Sequence, residues 1–135
     1  MSTEISTLDP IQFPLLEKFY RAQRSAMRIG NAEQVWVARS KGDVVAGVCL
    51  TSVEQGYWLT GLLVDPALRN AGVATALMRH VRSALQGPIW LFCHPGLQPF
   101  YQKSGYRPSE ALPEALADRL ARYRQHKPLL AMVCP

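Results

Sequence analysis

The sequence predicts an α+β domain built on a mixed sheet, and three observations carry that expectation. Residues 34–64 fall into runs rich in Val, Trp and Tyr, broken at Lys41-Gly42-Asp43 and again at Glu54-Gln55-Gly56, which is the pattern of an antiparallel meander. From Gly72 the apolar spacing becomes helical, and after Gly87-Pro88 a continuous apolar run, Ile89–Cys93, follows. Strand, helix and strand in succession argue for a parallel crossover beside the meander. The chain has 135 residues, 48% hydrophobic and 19% charged, which suits one domain with a real core, so 1–135 reads as a single unit.

Taken in order, Glu4–Thr7 reads as a short first strand. Pro10 or the residues just after it open a helix with Phe13, Leu16, Phe19 and Tyr20 at helical spacing. Arg21–Arg28 continues that helix or begins another, ending near Gly30-Asn31, and this places Arg21, Arg24 and Arg28 on one solvated face. Gln34–Ser40 and Val44–Ser52 form a hairpin, and Tyr57–Val64 completes the meander. Val73, Ala74, Leu77, Met78, Val81, Ala84 and Leu85 make the apolar face of the next helix. Ile89–Cys93 reads as a strand buried on both faces. A short helix around Phe100–Ser104 is closed by Gly105, an amphipathic helix covers Pro113–Gln125 with Leu116, Leu120 and Tyr123 inward, and Leu129–Val133 is the last strand.

The net charge is +5, and it is unevenly placed. Up to residue 60 the cations and anions balance, so the excess lies in the second half, where it suits a small anionic ligand. No dense Lys/Arg run favours nucleic acid. Cys49, Cys93 and Cys134 are too scattered for a disulfide framework or a metal site and point to a reducing interior. With no signal-like start and no apolar run of the ~18 residues that a span needs, the expected location is the cytoplasm, with no membrane partner.

The chemistry concentrates at Leu62-Leu63-Val64-Asp65-Pro66-Ala67-Leu68-Arg69-Asn70-Ala71-Gly72-Val73-Ala74-Thr75. An apolar strand stops at a proline, a basic turn follows, and a glycine opens a helix. The first N–H groups of a helix lack intrahelical acceptors, so such a junction suits an anion, and Arg69 adds a full positive charge. The three-glycine dinucleotide fingerprint and the Gly-Lys-Ser/Thr of a P-loop are both absent. Taken alone, the same residues also read as a tight turn whose Gly72 only relieves a steric clash.

The segment Val64-x-Pro66-x-x-Arg69-x-x-Gly72-x-Ala74 resembles the acetyl-CoA signature of the GNAT N-acetyltransferase superfamily. A second segment, Phe100-Tyr101-Gln102-Lys103-Ser104-Gly105-Tyr106, is similar to that family's Leu/Phe-Tyr-x-x-x-Gly-Phe/Tyr, with the apolar strand 89–93 between the two. The resemblance covers about residues 34–107 and implies a GNAT fold whose parallel pair is splayed. It further implies that the pantetheine arm of acetyl-CoA pairs with Leu62, Leu63 and Val64. The N–H of Leu62 or Leu63 would then polarise the thioester carbonyl. Arg69, Asn70, Ala71, Gly72, Val73, Ala74 and Thr75 would cradle the pyrophosphate, and no metal is called for.

Tyr101 matches the family tyrosine that protonates the departing thiolate, a task suited to a phenol with reference pKa near 10. The chain departs from the family pattern twice. His94 stands where many members have Asn, and it is a candidate for a bond to the pantetheine amide, for a base acting through a water, or for a plain cap. The strand Tyr57–Val64 carries no carboxylate where many members place their base; Glu54 and Glu33 are the nearest, and the base is unassigned. Cys93 reads as an inert core thiol and the three tryptophans as core. The implied reaction is direct acetyl transfer from coenzyme A to an amine of a small molecule or protein, in a chain that the family allows to be a homodimer. The alternative is a catalytically inactive acyl-CoA-binding module acting through a protein partner.

Overall fold

A computed structural model of the chain describes residues 3–135. Its strands are β1 (Glu4–Thr7), β2 (Gln34–Ser40), β3 (Asp43–Val53), β4 (Gly56–Val64), β5 (Ile89–Cys93), β6 (Arg107–Pro108) and β7 (Leu130–Cys134). Its α-helices are α1 (Phe13–Ala22), α2 (Val73–Ala84), α3 (Gln98–Gln102) and α4 (Glu114–Tyr123). The strands follow the order β1-β2-β3-β4-β5-β7-β6 in one mixed sheet, with β4 and β5 parallel. By contacts the chain forms two compact units. One comprises the chain up to Thr51 together with Leu59–Leu85, the other Ser52–Trp58 together with Gln86–Pro135.

In the first unit the α1 stripe decides the packing. A short 3-10 turn, Pro10–Gln12, leads into α1, and Pro14 sits in the first turn, where its missing N–H costs nothing. Leu16, Phe19 and Tyr20 are buried with Val35 and Val37 of β2 and Cys49 of β3. Gly47 of β3 lies beneath Leu16, so close that a β-carbon there would collide with the leucine Cδ1. Successive strand residues face opposite sides, so the buried Ala46, Val48 and Leu50 point away from Gly47 and Cys49. Helix α2 lies against β2 and buries Val73, Leu77, Met78 and Val81.

The first helix ends earlier than the basic segment suggests. It stops at Ala22, Arg24 turns to φ 56°, and Ser25 N–H bonds back to Tyr20 O at 3.0 Å. The next residues are held down rather than coiled: Ile29 and Ala32 are buried, and Glu17 Oε1 accepts the Ile29 N–H at 2.8 Å. Arg21, Arg24 and Arg28 therefore share no helical face. Burial of two apolar residues outweighs the helix preference of the arginines.

In the second unit β4 begins in parallel register with β5, Tyr57 opposite Ile89 and Trp58 opposite Trp90. Trp58, Trp90, Leu116 and Val133 form the core, with Val53, Phe92 and Leu112 against it. The two indole N–H groups find no acceptor among the described residues, so no hydrogen bond holds these rings. Arg119 of α4 stacks its guanidinium 4.6 Å from the centre of the Trp58 ring. Leu116 and Leu120 point inward as expected. Tyr123 is 38% exposed and meets Phe92 edge-on, with ring centres 6.4 Å apart. Phe92 is half-buried, so β5 is covered on one face more than on the other. The turn after α4 is tied by Arg124, which forks onto Glu110 at 2.9 and 3.2 Å and donates to Leu129 O at 3.0 Å. Strand β6 was not expected; it is two residues long, with Pro108, and pairs β7 at Val133 and Met132.

The contact of Leu16 with Gly47 has a measurable cost if it is overfilled. Gly47→Val is expected to lower the unfolding free energy by about 1–3 kcal/mol, read as a lower urea midpoint at unchanged slope. An unchanged midpoint would show that Leu16 can move aside freely.

Candidate functional site

The strand–helix junction in the first unit is shaped by its backbone. Leu63 packs its side chain into the α1 core, so alternation leaves Leu62 and Val64 on the other face of β4. The strand is fastened at its end by Asp65 N–H to Val45 O at 2.8 Å. Asp65 then caps a 3-10 turn, Pro66–Leu68, its Oδ1 accepting the Ala67 N–H at 3.0 Å. Arg69 is extended and exposed, Asn70 adopts φ 69° and Gly72 φ 80°. Two left-handed residues in three steps turn the chain sharply into α2. Asn tolerates that region better than other side chains, and glycine adopts it freely.

This turn answers the question of which donors are free. Ala71 N–H is taken by Leu68 O at 3.2 Å and Arg69 N–H by Pro66 O at 3.4 Å. The first intrahelical bond of α2 runs from Ala76 N–H to Gly72 O at 3.0 Å. Among the described residues, the N–H groups of Asn70, Gly72, Val73, Ala74 and Thr75 have no acceptor, and the glycine N-cap offers no side chain to supply one. The Arg69 guanidinium has no carboxylate partner among them either. A β-carbon built on Gly72 would meet nothing within 4 Å, so the glycine answers a need of φ and leaves open space above the helix start. Uncompensated donors, the positive end of the helix dipole and a free arginine together favour a di-anion such as a pyrophosphate. Ala71, expected to offer its N–H as well, is not among these donors, because Leu68 O takes it.

The second motif lies in the second unit. His94 follows β5 and caps the 3-10 turn Pro95–Leu97, its Nδ1 accepting the Gly96 N–H at 3.0 Å. That bond makes Nδ1 the acceptor and leaves Nε2 as the donor of the exposed ring. Helix α3 carries Tyr101 and closes by a 6→1 bond, Tyr106 N–H to Tyr101 O at 3.2 Å, with Gly105 at φ 91°. Tyr101 is 8% exposed, its ring meeting Phe100 edge-on at 5.0 Å and Tyr106 at 6.0 Å. Burial, and then the neighbouring Cys93, push its phenol up to about 12. Cys93 is itself buried, 3.8 Å from the Met132 sulfur, and burial raises its thiol as well, which suits an inert group.

A family profile described as "Acetyltransferase (GNAT) domain" matches residues 31–108, more than half of the chain and inclusive of both motifs. The chain belongs to the GNAT acetyltransferase family. Solved structures share the GNAT fold over nearly its whole length. Escherichia coli ElaA aligns with a TM-score of 0.75 at 18% identity, covering 99% of this chain and 100% of its own. N-acetylglutamate synthase from Neisseria gonorrhoeae, solved with coenzyme A and N-acetyl-glutamate, aligns at 0.72 and 14%, covering 98% of this chain but only 35% of that larger one. Arabidopsis thaliana Naa50, bound to the bisubstrate analogue CoA-Ac-MVNAL, gives 0.71 at 12% identity with 98% of each chain covered. Comparison with curated protein sequences returned no match.

Sequence reasoning overlooked two parts of this GNAT chain. Asp65 organises the turn, and Tyr20 of α1 bonds the carbonyl of Gly61 within β4. An isolated glycine inside a strand pattern was the available signal for the second, since it marks a bulge or a close approach. Among the described residues no cluster of His, Cys, Asp and Glu could hold a metal, and no helix is long and apolar enough to cross a membrane.

The environment of Tyr101 predicts a late titration. Its phenol is raised from 10.0 to about 12 in the fold, so the folded state binds this proton more tightly than the unfolded state. The associated stability is present below pH 10 and is lost as the pH climbs towards 12. Tyrosinate absorbance of the native protein minus that of Tyr101→Phe is expected to show a phenol ionising well above 10. A difference curve centred at 10 would contradict the buried setting.

Proposed function

We propose that this protein is an acetyl-CoA-dependent N-acetyltransferase that moves an acetyl group directly from coenzyme A to an amine of a small molecule or protein. The observation that carries the reading is the start of α2, without a side-chain cap, beside Arg69, which has no carboxylate partner among the described residues, inside the region matched by the family profile. The N–H groups of Asn70, Gly72, Val73, Ala74 and Thr75, which have no acceptor among the described residues, together with the Arg69 cation, suit the pyrophosphate. Leu62, Leu63 and Val64 are assigned to the pantetheine arm by main-chain bonds, in the manner of an added strand. His94 is assigned to the cofactor through its exposed Nε2–H.

Acetyl-CoA, when bound, supplies an activated acyl carbon and a thiol leaving group. A backbone N–H of β4 stabilises the charge that gathers on the carbonyl oxygen. The amine attacks as the free base, the C–N bond forms and the C–S bond breaks. Tyr101 gives its phenolic proton to the sulfur and regains one from the water that takes up the ammonium proton. No carboxylate lies on β4, so the amine loses its first proton to solvent, and the rate is expected to rise with pH. Tyr101 stays protonated through this range, because its ionisation is displaced to about 12.

Two substitutions test the assignment. Gly72→Val forces a β-branched residue into a left-handed conformation, and calorimetry is expected to show CoA affinity reduced by more than about tenfold. Undiminished affinity would remove the pocket from α2. Tyr101→Phe is expected to lower kcat by roughly 100-fold at unchanged CoA affinity. The panel to screen for CoA release contains polyamines, amino acids, aminoglycosides and peptide N-termini. Tight binding of acetyl-CoA with no release on any of them would overturn the enzyme reading in favour of a binding module.

A further inference from the structure

Tyr20 lies far in sequence from both motifs, yet it acts on the strand that the proposed reaction uses. It is fully buried on α1, and its hydroxyl donates to the carbonyl oxygen of Gly61 at 2.6 Å. The Tyr20 hydroxyl oxygen also lies 3.5 Å from the Cys49 sulfur; with its proton committed to Gly61, the phenol is left to accept from the thiol. Gly61 stands in β4 at φ 68°, a left-handed residue within an extended strand, which is how a bulge turns a peptide group out of its usual direction. A β-carbon at this position would lie 2.6 Å from the Tyr20 hydroxyl, so the glycine and the tyrosine are matched.

The bonded carbonyl belongs to the peptide group whose N–H is that of Leu62. No peptide bond among the described residues is cis, so this N–H points opposite to the carbonyl and therefore away from Tyr20. A hydrogen bond accepted by a peptide oxygen also draws electron density from the nitrogen and makes the N–H a better donor. Desolvation, reinforced by Cys49 beside it, holds the Tyr20 phenol far above the ordinary tyrosine value, so the donor keeps its proton at every working pH.

We propose that Tyr20 is a positioning residue for acyl transfer, which by holding the Gly61–Leu62 peptide aims and strengthens the Leu62 N–H, rather than that of Leu63, as the donor to the thioester oxygen. This rests on the acetyltransferase reading given above, and it narrows the donor to one atom. Leu63 by contrast is anchored through its side chain in the α1 core, which fixes its place and does nothing for the polarity of its N–H.

The readout is the carbonyl stretch of acetyl-CoA labelled with carbon-13 at the thioester carbon, measured bound and free. In the native protein binding is expected to lower this frequency, and Tyr20→Phe is expected to reverse most of the shift while CoA affinity stays within about twofold. With an amine identified from the screen, the same variant is expected to lower kcat by about tenfold with little change in KM for acetyl-CoA. Tyr20→3-fluorotyrosine, a stronger donor of nearly the same shape, is expected to increase the shift, and it decides the matter should the phenylalanine variant fail to fold. A native shift that neither variant alters would overturn the role of Tyr20 alone. Acetyl-CoA bound with no shift in the native protein would instead overturn the placement of the reacting carbonyl on β4.

Discussion

The closeness of α1 to the sheet depends on two places where the sheet has no side chain. Gly47 leaves a gap for Leu16, and Gly61 leaves one for the Tyr20 hydroxyl. A helix carrying Leu, Phe and Tyr on one stripe would otherwise ride higher on strands as rich in valine as these. With the gaps present, Leu16 and Tyr20 are completely buried, and Tyr20 still finds a backbone acceptor for the one polar atom it takes inside. The first unit owes both its packing density and the shape of β4 to that arrangement.

The end of β4 shows how a few local rules add up to a row of uncommitted backbone donors. Proline stops the ladder, aspartate caps the short turn with its own side chain, and two left-handed residues swing the chain into α2 without using the donors of its first turn. A serine or threonine at the N-cap would have taken one of those donors for itself. Glycine there takes none. The same choice that weakens the helix as a helix leaves it open to a ligand of opposite charge.

Much of this was legible in the sequence, for reasons that differ from one element to the next. The hairpins and the crossover were visible because period-two and helical spacing leave separate signatures, and the strand order agrees with them. The turn before α2 was visible as a junction suited to an anion, and only its pairing with the segment around Tyr101, through the family resemblance, pointed to a pyrophosphate. The true end of α1 was hidden: Arg21–Arg28 has good helix formers, and only the burial of Ile29 and Ala32, which is a tertiary fact, ends the helix at Ala22. Strand β6 escaped because two residues carry no period. The Tyr20–Gly61 bond joins positions 41 apart, and no local pattern encodes a distance of that kind.

The three cysteines are all reduced and buried, and they fall on both sides of the division within the chain, Cys49 in the first unit and Cys93 and Cys134 in the second. A thiol reagent in solution reaches such sulfurs only when the structure around them opens. The protein thus carries its own clocks. Labelling followed sulfur by sulfur under native conditions times the breathing of each unit separately, with no probe introduced, and the difference between the Cys49 rate and the other two measures how far the units unfold as one.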